Sequence, residues 1–345
     1  MSYSLPLQID GSIGSGGGQI VRTALALAAV TQQSCRLFNI RTKRPNPGLQ
    51  AQHIATANAI CKLCKGVLEG ERIGSQELVF YPGPLNQIPN LLYVKLDTAA
   101  SITLLLQALV PLALQASKPV RIVFEGGGTD TFFSPTLDYW QYVFLKILEK
   151  MGVRTEINIK RRGYYPRGGA QAEVLVYPAK LQKLSLATPG PLQKIIIFSG
   201  AAKELKPRKV AERQIAGSRE ILAKLKLPLE ERVSYWPADC AGSHFCIAAY
   251  FENTVIGADK LGTLGKKAED IGRETALEIL KLAKNPACLD KHMTDQILIY
   301  LALAGGGKIT VPQITPHAAA TQKVIEQFLP GRFVNQQGYV EYQRD

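Results

Sequence analysis

Residues Asp10 to Gln19 read DGSIGSGGGQ, with glycine at five of ten positions. A regular helix or strand does not hold such a run, because ordering glycine removes more backbone freedom than ordering any other residue. Glycine offers positive φ and close approach of another group instead. Before the run, Leu5–Ile9 alternates apolar and polar side chains like a short strand; after it, Ile20–Val30 is apolar on most of its surface, like a helix. A strand, a glycine loop and a helix in that order can cradle a phosphate, since backbone N–H groups and the helix N-terminus both face the anion. A plain tight turn before a helix is the other reading. The run is not a P-loop, because Gly-Gln-Ile stands where Gly-Lys-Ser/Thr is needed. It is not a dinucleotide fingerprint either, because Arg41, not an acid, follows the second strand.

The theme recurs along the chain. DTAASITLLLQ (Asp97–Gln107) reads as a small polar loop followed by a nearly all-apolar helix. EGGGTDTFFSP reads as a loop before a helix over Leu137–Met151, and Gly305–Gly307 precedes a strand, His317 and a last helix with Thr321 as its expected N-cap. Strands are expected at Val120–Phe124, Val153–Lys160 and Gln171–Val176. A strand pair turning at Gly74 is expected within Lys65–Pro82. The fold class is therefore α/β (α+β), built from similar units. A linker-like composition near Leu181 and a return to apolar helix near Ala287 mark 184–285 as an inserted small domain. That leaves 1–183 plus 286–345 as a large domain. A length of 345 residues agrees with about two domains.

The net charge is +13, from 41 basic and 28 acidic residues. This favours an anionic partner such as nucleic acid or nucleotide, with a merely solvated basic surface as the alternative. The basic residues are dispersed, which suits a folded basic surface better than a disordered arm. IRTKRPNPGL puts Arg41 and Arg44 on a stiff Pro/Gly loop, where guanidinium groups can take phosphate in a bidentate way. The N-terminus lacks a signal-peptide pattern. The most apolar run, Ile102–Leu114, is shorter than the ~20 residues of a membrane span and is broken by Gln107 and Pro111. A cytoplasmic protein with no membrane partner is expected. Gln107, the lone polar residue of that helix, is either a structural tie or a ligand contact. Cys61 and Cys64 form a C-x-x-C inside a helical pattern without a second ligand pair, and ordinary helix-face thiols are the better reading. His53 and His292 sit in helical patterns and His244 starts a strand, which suits structural or surface roles. His317 lies between a strand end and a helix start, where a side chain can face a ligand.

Taken jointly and in order, several segments resemble the RNA 3′-terminal phosphate cyclase family across nearly the whole chain. They are DGSIGSGGGQIVR, IRTKRPNPGLQAQH, GSQELVFYPG, DTAASITLLLQALVP, GYYPRGG, VAER, GADKLGTLGKKAE, DKHMTDQILIYLALAGGG and PHAAATQKVIEQFLP. The resemblance implies a large domain of three repeated βαβαββ-like units similar to the C-terminal domain of translation initiation factor three. It places a smaller α/β domain ahead of the third unit. It implies a ligase that uses ATP and a divalent metal (Mg2+ or Mn2+) to convert an RNA 3′-terminal phosphate into a 2′,3′-cyclic phosphate. His317 would accept AMP, giving histidyl-AMP, and the AMP would pass to the RNA end before cyclisation. Gln107 and His292, Met293, Thr294, Asp295 and Gln296 would contact ATP. Gln19, Arg22, Arg41 and Arg44 would line the phosphate and RNA-end site. Ser15 stands at the usual position of a metal-binding glutamate, so the resemblance assigns no metal ligand. Ala100 and Ala170 replace usual glycines, His292 a frequent tyrosine and Thr321 a common asparagine, and Thr131 and Phe132 alter a nucleotide-side loop. A homodimer is an open option. The alternatives are a non-catalytic superfamily member acting in ribosome assembly or RNA processing, and a transferase of the related enolpyruvyl class.

Overall fold

The computed structural model describes residues 5–345. Residues 1–4, part of the N-terminal stretch read above as lacking a leader pattern, lie outside the described residues. Three successive units share one plan. The first runs β1 (Leu7–Asp10), α1 (Gly18–Thr31), β2 (Cys35–Phe38), α2 (Ala51–Cys64), β3 (Val67–Glu69), β4 (Leu78–Tyr81). The second runs β5 (Leu91–Ser101), α3 (Ile102–Ala113), β6 (Val120–Gly128), α4 (Leu137–Tyr139) continued by a π turn (Trp140–Phe144) into α5 (Leu145–Glu149), then β7 (Thr155–Arg161) and β8 (Gln171–Val176). The third begins with β9 (Leu184–Leu186). It is then interrupted by β10 (Leu192–Ala202), α6 (Val210–Leu222), β11 (Leu229–Trp236), β12 (Ser243–Phe251), β13 (Val255–Leu261) and α7 (Ala268–Ala283). It resumes with α8 (Lys291–Leu303), β14 (Gly307–Thr310), α9 (Pro316–Phe328), β15 (Arg332–Gln336) and β16 (Tyr339–Gln343).

The sheet orders β1-β2-β4-β3, β5-β6-β8-β7 and β9-β14-β16-β15 are the same sequence of roles. In each, the first two strands are parallel and the rest antiparallel. β9 pairs with β14, so Leu184–Leu186 belongs by pairing to the third sheet. The interruption therefore falls after the first strand of the third unit, not ahead of it. Asp97–Ser101, expected as a loop, is the end of β5. Its parallel pairing with β6 resumes at Ser101 opposite Gly128 after a bulge.

Strands β10, β12 and β13 of the interrupting sheet place apolar side chains on both faces. Ile196, Phe198, Cys246, Ala248 and Val255 join the core shared by the three units. Ile195, Ile197, Phe245 and Ile247 join a second core under α6 and α7. Alternation along β10 thus divides its side chains between two cores, as a sheet covered on both faces requires. The two covering helices approach closely at Gly217 and Gly272, where a Cβ would meet the Glu269 and Gln214 carbonyl oxygens. Among the described residues, no helix is long and apolar enough to cross a membrane.

Candidate active site

Helices from all three units pack together. α1 packs against α3 and α9, α8 against α9, and α2 against α1 and α3. Gly14 of the glycine loop lies against the first turns of α9, where an added Cβ would come 3.2 Å from the Ala320 Cβ and 3.4 Å from the Pro316 carbonyl. Gly18 lies against the His53 ring of α2, which leaves no room for a Cβ. Gly17, the N-cap of α1, offers no capping side chain, so the first N–H groups of that helix are open to an anion.

α9 begins differently from the sequence expectation. Thr315, not Thr321, is its N-cap, accepting from the Ala318 amide at 3.0 Å, and Pro316 occupies the first turn. The Thr-Pro pair presets this start, and Thr321 becomes a buried mid-helix residue. His317 is therefore the second residue of a helix, exposed, with its imidazole at the positive end of the macrodipole. Partial burial, then the Arg44, Arg22 and His292 charges, hold its pKa below the ordinary histidine value. The neutral, nucleophilic ring is thereby favoured. Thr321 follows His317 by one helical turn and lines a cleft together with Gln19, Arg22, Gln107, Asp295 and Gln296.

This cleft gathers five of the expected ligand-contact residues together with Thr321, and adds Thr23 and Ile299. Gln107 donates to the Gln296 side chain at 2.9 Å, which ties α3 to α8. Burial pushes Asp295 up to about 7 against the pull of Arg22, and burial lowers Arg22 to about 10 against the pull of Asp295. The Gln19 Nε2, Arg22 Nε and Arg44 Nε atoms are buried without a hydrogen-bond partner. Unpartnered buried donors are costly, and the two of these that line the cleft, from Gln19 and Arg22, are positioned to take ligand oxygens.

Other expected residues turn elsewhere. Met293 and Thr294 are fully buried on the core face of α8, with Thr294 bonded to the Asp290 carbonyl at 2.9 Å. The 3.6-residue period explains this, since His292, Asp295, Gln296 and Ile299 share the opposite face. Arg41 has positive φ and donates to the Gly48 and Asn46 carbonyls at 3.1 and 3.0 Å, bracing its own loop. In the capping box of α2, His53 has the structural role that its helical pattern suggests. Its Nδ1 accepts from the Gln50 amide at 3.0 Å, so Nε2 carries the proton and points toward Gly18. Burial, then Arg22 and Arg41, drive its pKa down to about 3. Its only sequence signal is the spacing of three from the N-cap Gln50. Cys61 and Cys64 lie in α2 as ordinary thiols, and burial raises both above the usual cysteine value.

The expected divalent metal finds no donor set beside the glycine loop. Ser15 Oγ accepts from Arg44 Nη2 at 3.1 Å, and the Ser12 and Gly14 carbonyls accept from Lys43 Nζ at 2.8 and 3.3 Å. Among the described residues, no group of three His, Cys, Asp or Glu side chains could hold a metal ion.

The sequence profile of the RNA 3′-terminal phosphate cyclases matches residues 13–334. The chain belongs to that family. Three curated relatives carry the name RNA 3′-terminal phosphate cyclase. The protein of Pyrococcus furiosus is 41% identical over 321 residues, 93% of this chain and 92% of the relative. That of Sulfolobus acidocaldarius is 37% identical over 324 residues, 94% of this chain and 95% of the relative. That of Saccharolobus solfataricus is 36% identical over 325 residues, 94% of each. For a member of the RNA 3′-terminal phosphate cyclase family, the meeting of α1, α2, α8 and α9 is the candidate active site.

Proposed function

We propose that the chain is an ATP-dependent RNA 3′-terminal phosphate cyclase, a ligase releasing AMP and diphosphate. The observation that carries this reading is the placement of His317. A neutral imidazole stands at a helix N-terminus, beside the glycine loop and one turn from a cleft of unpartnered donors. In the first step, the unprotonated ring nitrogen attacks the α-phosphorus of ATP, and diphosphate leaves with the electron pair of the broken P–O bond. A 3′-phosphate oxygen of the RNA then attacks the same phosphorus and expels the imidazole, giving an RNA-adenylate. The vicinal 2′-hydroxyl attacks the 3′-phosphorus, loses its proton and expels AMP.

The protein's own contribution is charge and position. Arg22, Arg44 and the open N–H groups of α1 stabilise negative charge growing on phosphate oxygens. Gln19 donates alongside them. Gln107, Gln296 and Asp295 contact the nucleotide, His292 flanks it, and Arg41 keeps the Arg44 loop stiff. Splitting the reaction through a covalent nucleotide lets ATP activate a poor electrophile. No step is assigned to a metal ion.

The direct test supplies an oligoribonucleotide with a 3′-phosphate and ATP. The expected product resists phosphatase and opens in acid. A terminal phosphate still removable after prolonged incubation with ATP would contradict the cyclase reading and favour an RNA-binding role without catalysis.

A further inference from the structure

We propose that Lys43 and Arg44 serve as the cations of the nucleotide phosphate site, so that ATP binds without a divalent ion held by the protein. This rests on the nucleotide reading above.

Two oxygens of the glycine loop that face outward, the Ser12 and Gly14 carbonyls, are both taken by the Lys43 ammonium at 2.8 and 3.3 Å. The third, Ser15 Oγ, is taken by Arg44 at 3.1 Å. A hydroxyl and two carbonyls are hard-cation donors. Here each already faces a positive charge, and a divalent ion entering the loop would have to displace an ammonium or sit against a guanidinium. Carboxylates offset this only in part, through the Asp10 charge that reaches Lys43. Asp10, at the base of the loop, accepts from the Ser12 amide at 2.9 Å and the Asn39 side chain at 3.4 Å. Asp295 belongs to the cleft, where Arg22 is its neighbour.

The same groups suit a polyphosphate. Lys43 is exposed, with two of its three ammonium N–H groups on loop carbonyls and the third open to an anion, while Arg44 is half-buried with Nε unpartnered and the Ser15 hydroxyl orienting its fork. Arg22 adds a third charge at the cleft. A carboxylate at position 15 would reverse this balance. It would neutralise Arg44 and repel the phosphates, and a divalent ion would then be needed to bridge carboxylate and phosphate.

Equilibrium dialysis of labelled ATP against the full chain tests this, once in EDTA and once in Mg2+ or Mn2+. The dissociation constants are expected to agree within about threefold. Ser15→Glu is expected to weaken binding in EDTA by at least tenfold and to recover it with Mn2+. Lys43→Gln is expected to weaken binding in both buffers. Binding by the unmodified chain only when a divalent ion is present overturns this inference and leaves the nucleotide reading standing. Absence of binding in every buffer overturns both. A Ser15→Glu variant that binds equally well in EDTA also overturns it.

Discussion

Two arginines, Arg162 buried and Arg22 half-buried, organise two regions of this molecule in opposite ways. Arg162 lies at the seam between the second unit and the interrupting sheet. Its Nη1 reaches Asp130 at 3.1 Å and its Nη2 reaches Asp138 at 2.6 Å. His244 of β12 sits 2.7 Å from the second Asp138 oxygen, Tyr164 and His244 share a hydrogen bond, and Trp236 of β11 lies under the guanidinium. Burial opposes the Arg162 charge, but Asp138 and Asp130 outweigh it and raise the pKa above the ordinary arginine value. Arg22 is also drawn down by burial, yet Asp295 offsets that only in part, and its Nε has no partner. The first arginine, although its Nε too has no partner, is held through both Nη groups by carboxylates and clamps two substructures together. The second is under-satisfied, and what the fold leaves open there is available to a phosphate.

The largest effect should come from breaking the clamp. Arg162→Met leaves Asp130 and Asp138 buried without their cation, which should cost about 3–5 kcal/mol in denaturant unfolding. A cost below about 1 kcal/mol would show that the seam does not depend on this network.

Next come two pH effects of opposite sign, both at the open site. Asp295 is raised to about 7 from 3.8, so the folded state binds the extra proton between those values. Its contribution is complete below the unfolded value and is lost as pH rises through the folded one, by roughly 2–4 kcal/mol. Asp295→Asn should flatten that decline in a stability–pH profile. His53 is depressed to about 3 from 6.5, so the unfolded chain binds the extra proton as pH falls. Its contribution is complete above 6.5 and is lost toward 3, again by roughly 2–4 kcal/mol. His53→Gln, which keeps an acceptor for the Gln50 amide, should make that acid limb shallower. If neither variant changes its limb, the site is not electrostatically poised.

Arg22→Gln sharpens the contrast from the other side. It should weaken ATP binding by roughly 10–100-fold while shifting stability by less than about 1 kcal/mol, the reverse of the Arg162 variant. An unfolding cost like that of Arg162→Met would make Arg22 structural. The smallest effect belongs to the cap beneath His317. Thr315→Ala should cost about 1 kcal/mol in thermal unfolding, with a modest loss of adenylylation from a less ordered first turn.

Much of the fold was legible because it is local. The apolar periods of α1, α2, α3 and α9 stand in the sequence, and the glycine run announced a loop before α1. Asp97–Ser101 was not legible. Its small residues carry no strand period, and only the pairing of Ser101 with Gly128 of the distant β6, across a bulge, brings the strand this far. Side-chain placement split the same way. Gln19 and Arg22 lie three apart on one helix, and Asp295, Gln296 and Ile299 share one face, so each set reaches the cleft. Arg41 was not legible as a brace, because its positive φ and carbonyl partners arise only when the loop closes. Lys43 was equally hidden, since its partners are carbonyls 29 and 31 residues away in the glycine loop.

The most direct test of the central claim is covalent labelling. The intact chain would be incubated with ATP labelled at the α-phosphate, in EDTA and in Mg2+ or Mn2+, then denatured, with His317→Ala in parallel. Adenylylation through this helix N-terminus predicts acid-labile label on the unmodified chain and none on a His317→Ala protein of unchanged melting temperature. Label persisting on His317→Ala, or a folded, ATP-binding chain that takes no label in any buffer, would contradict it.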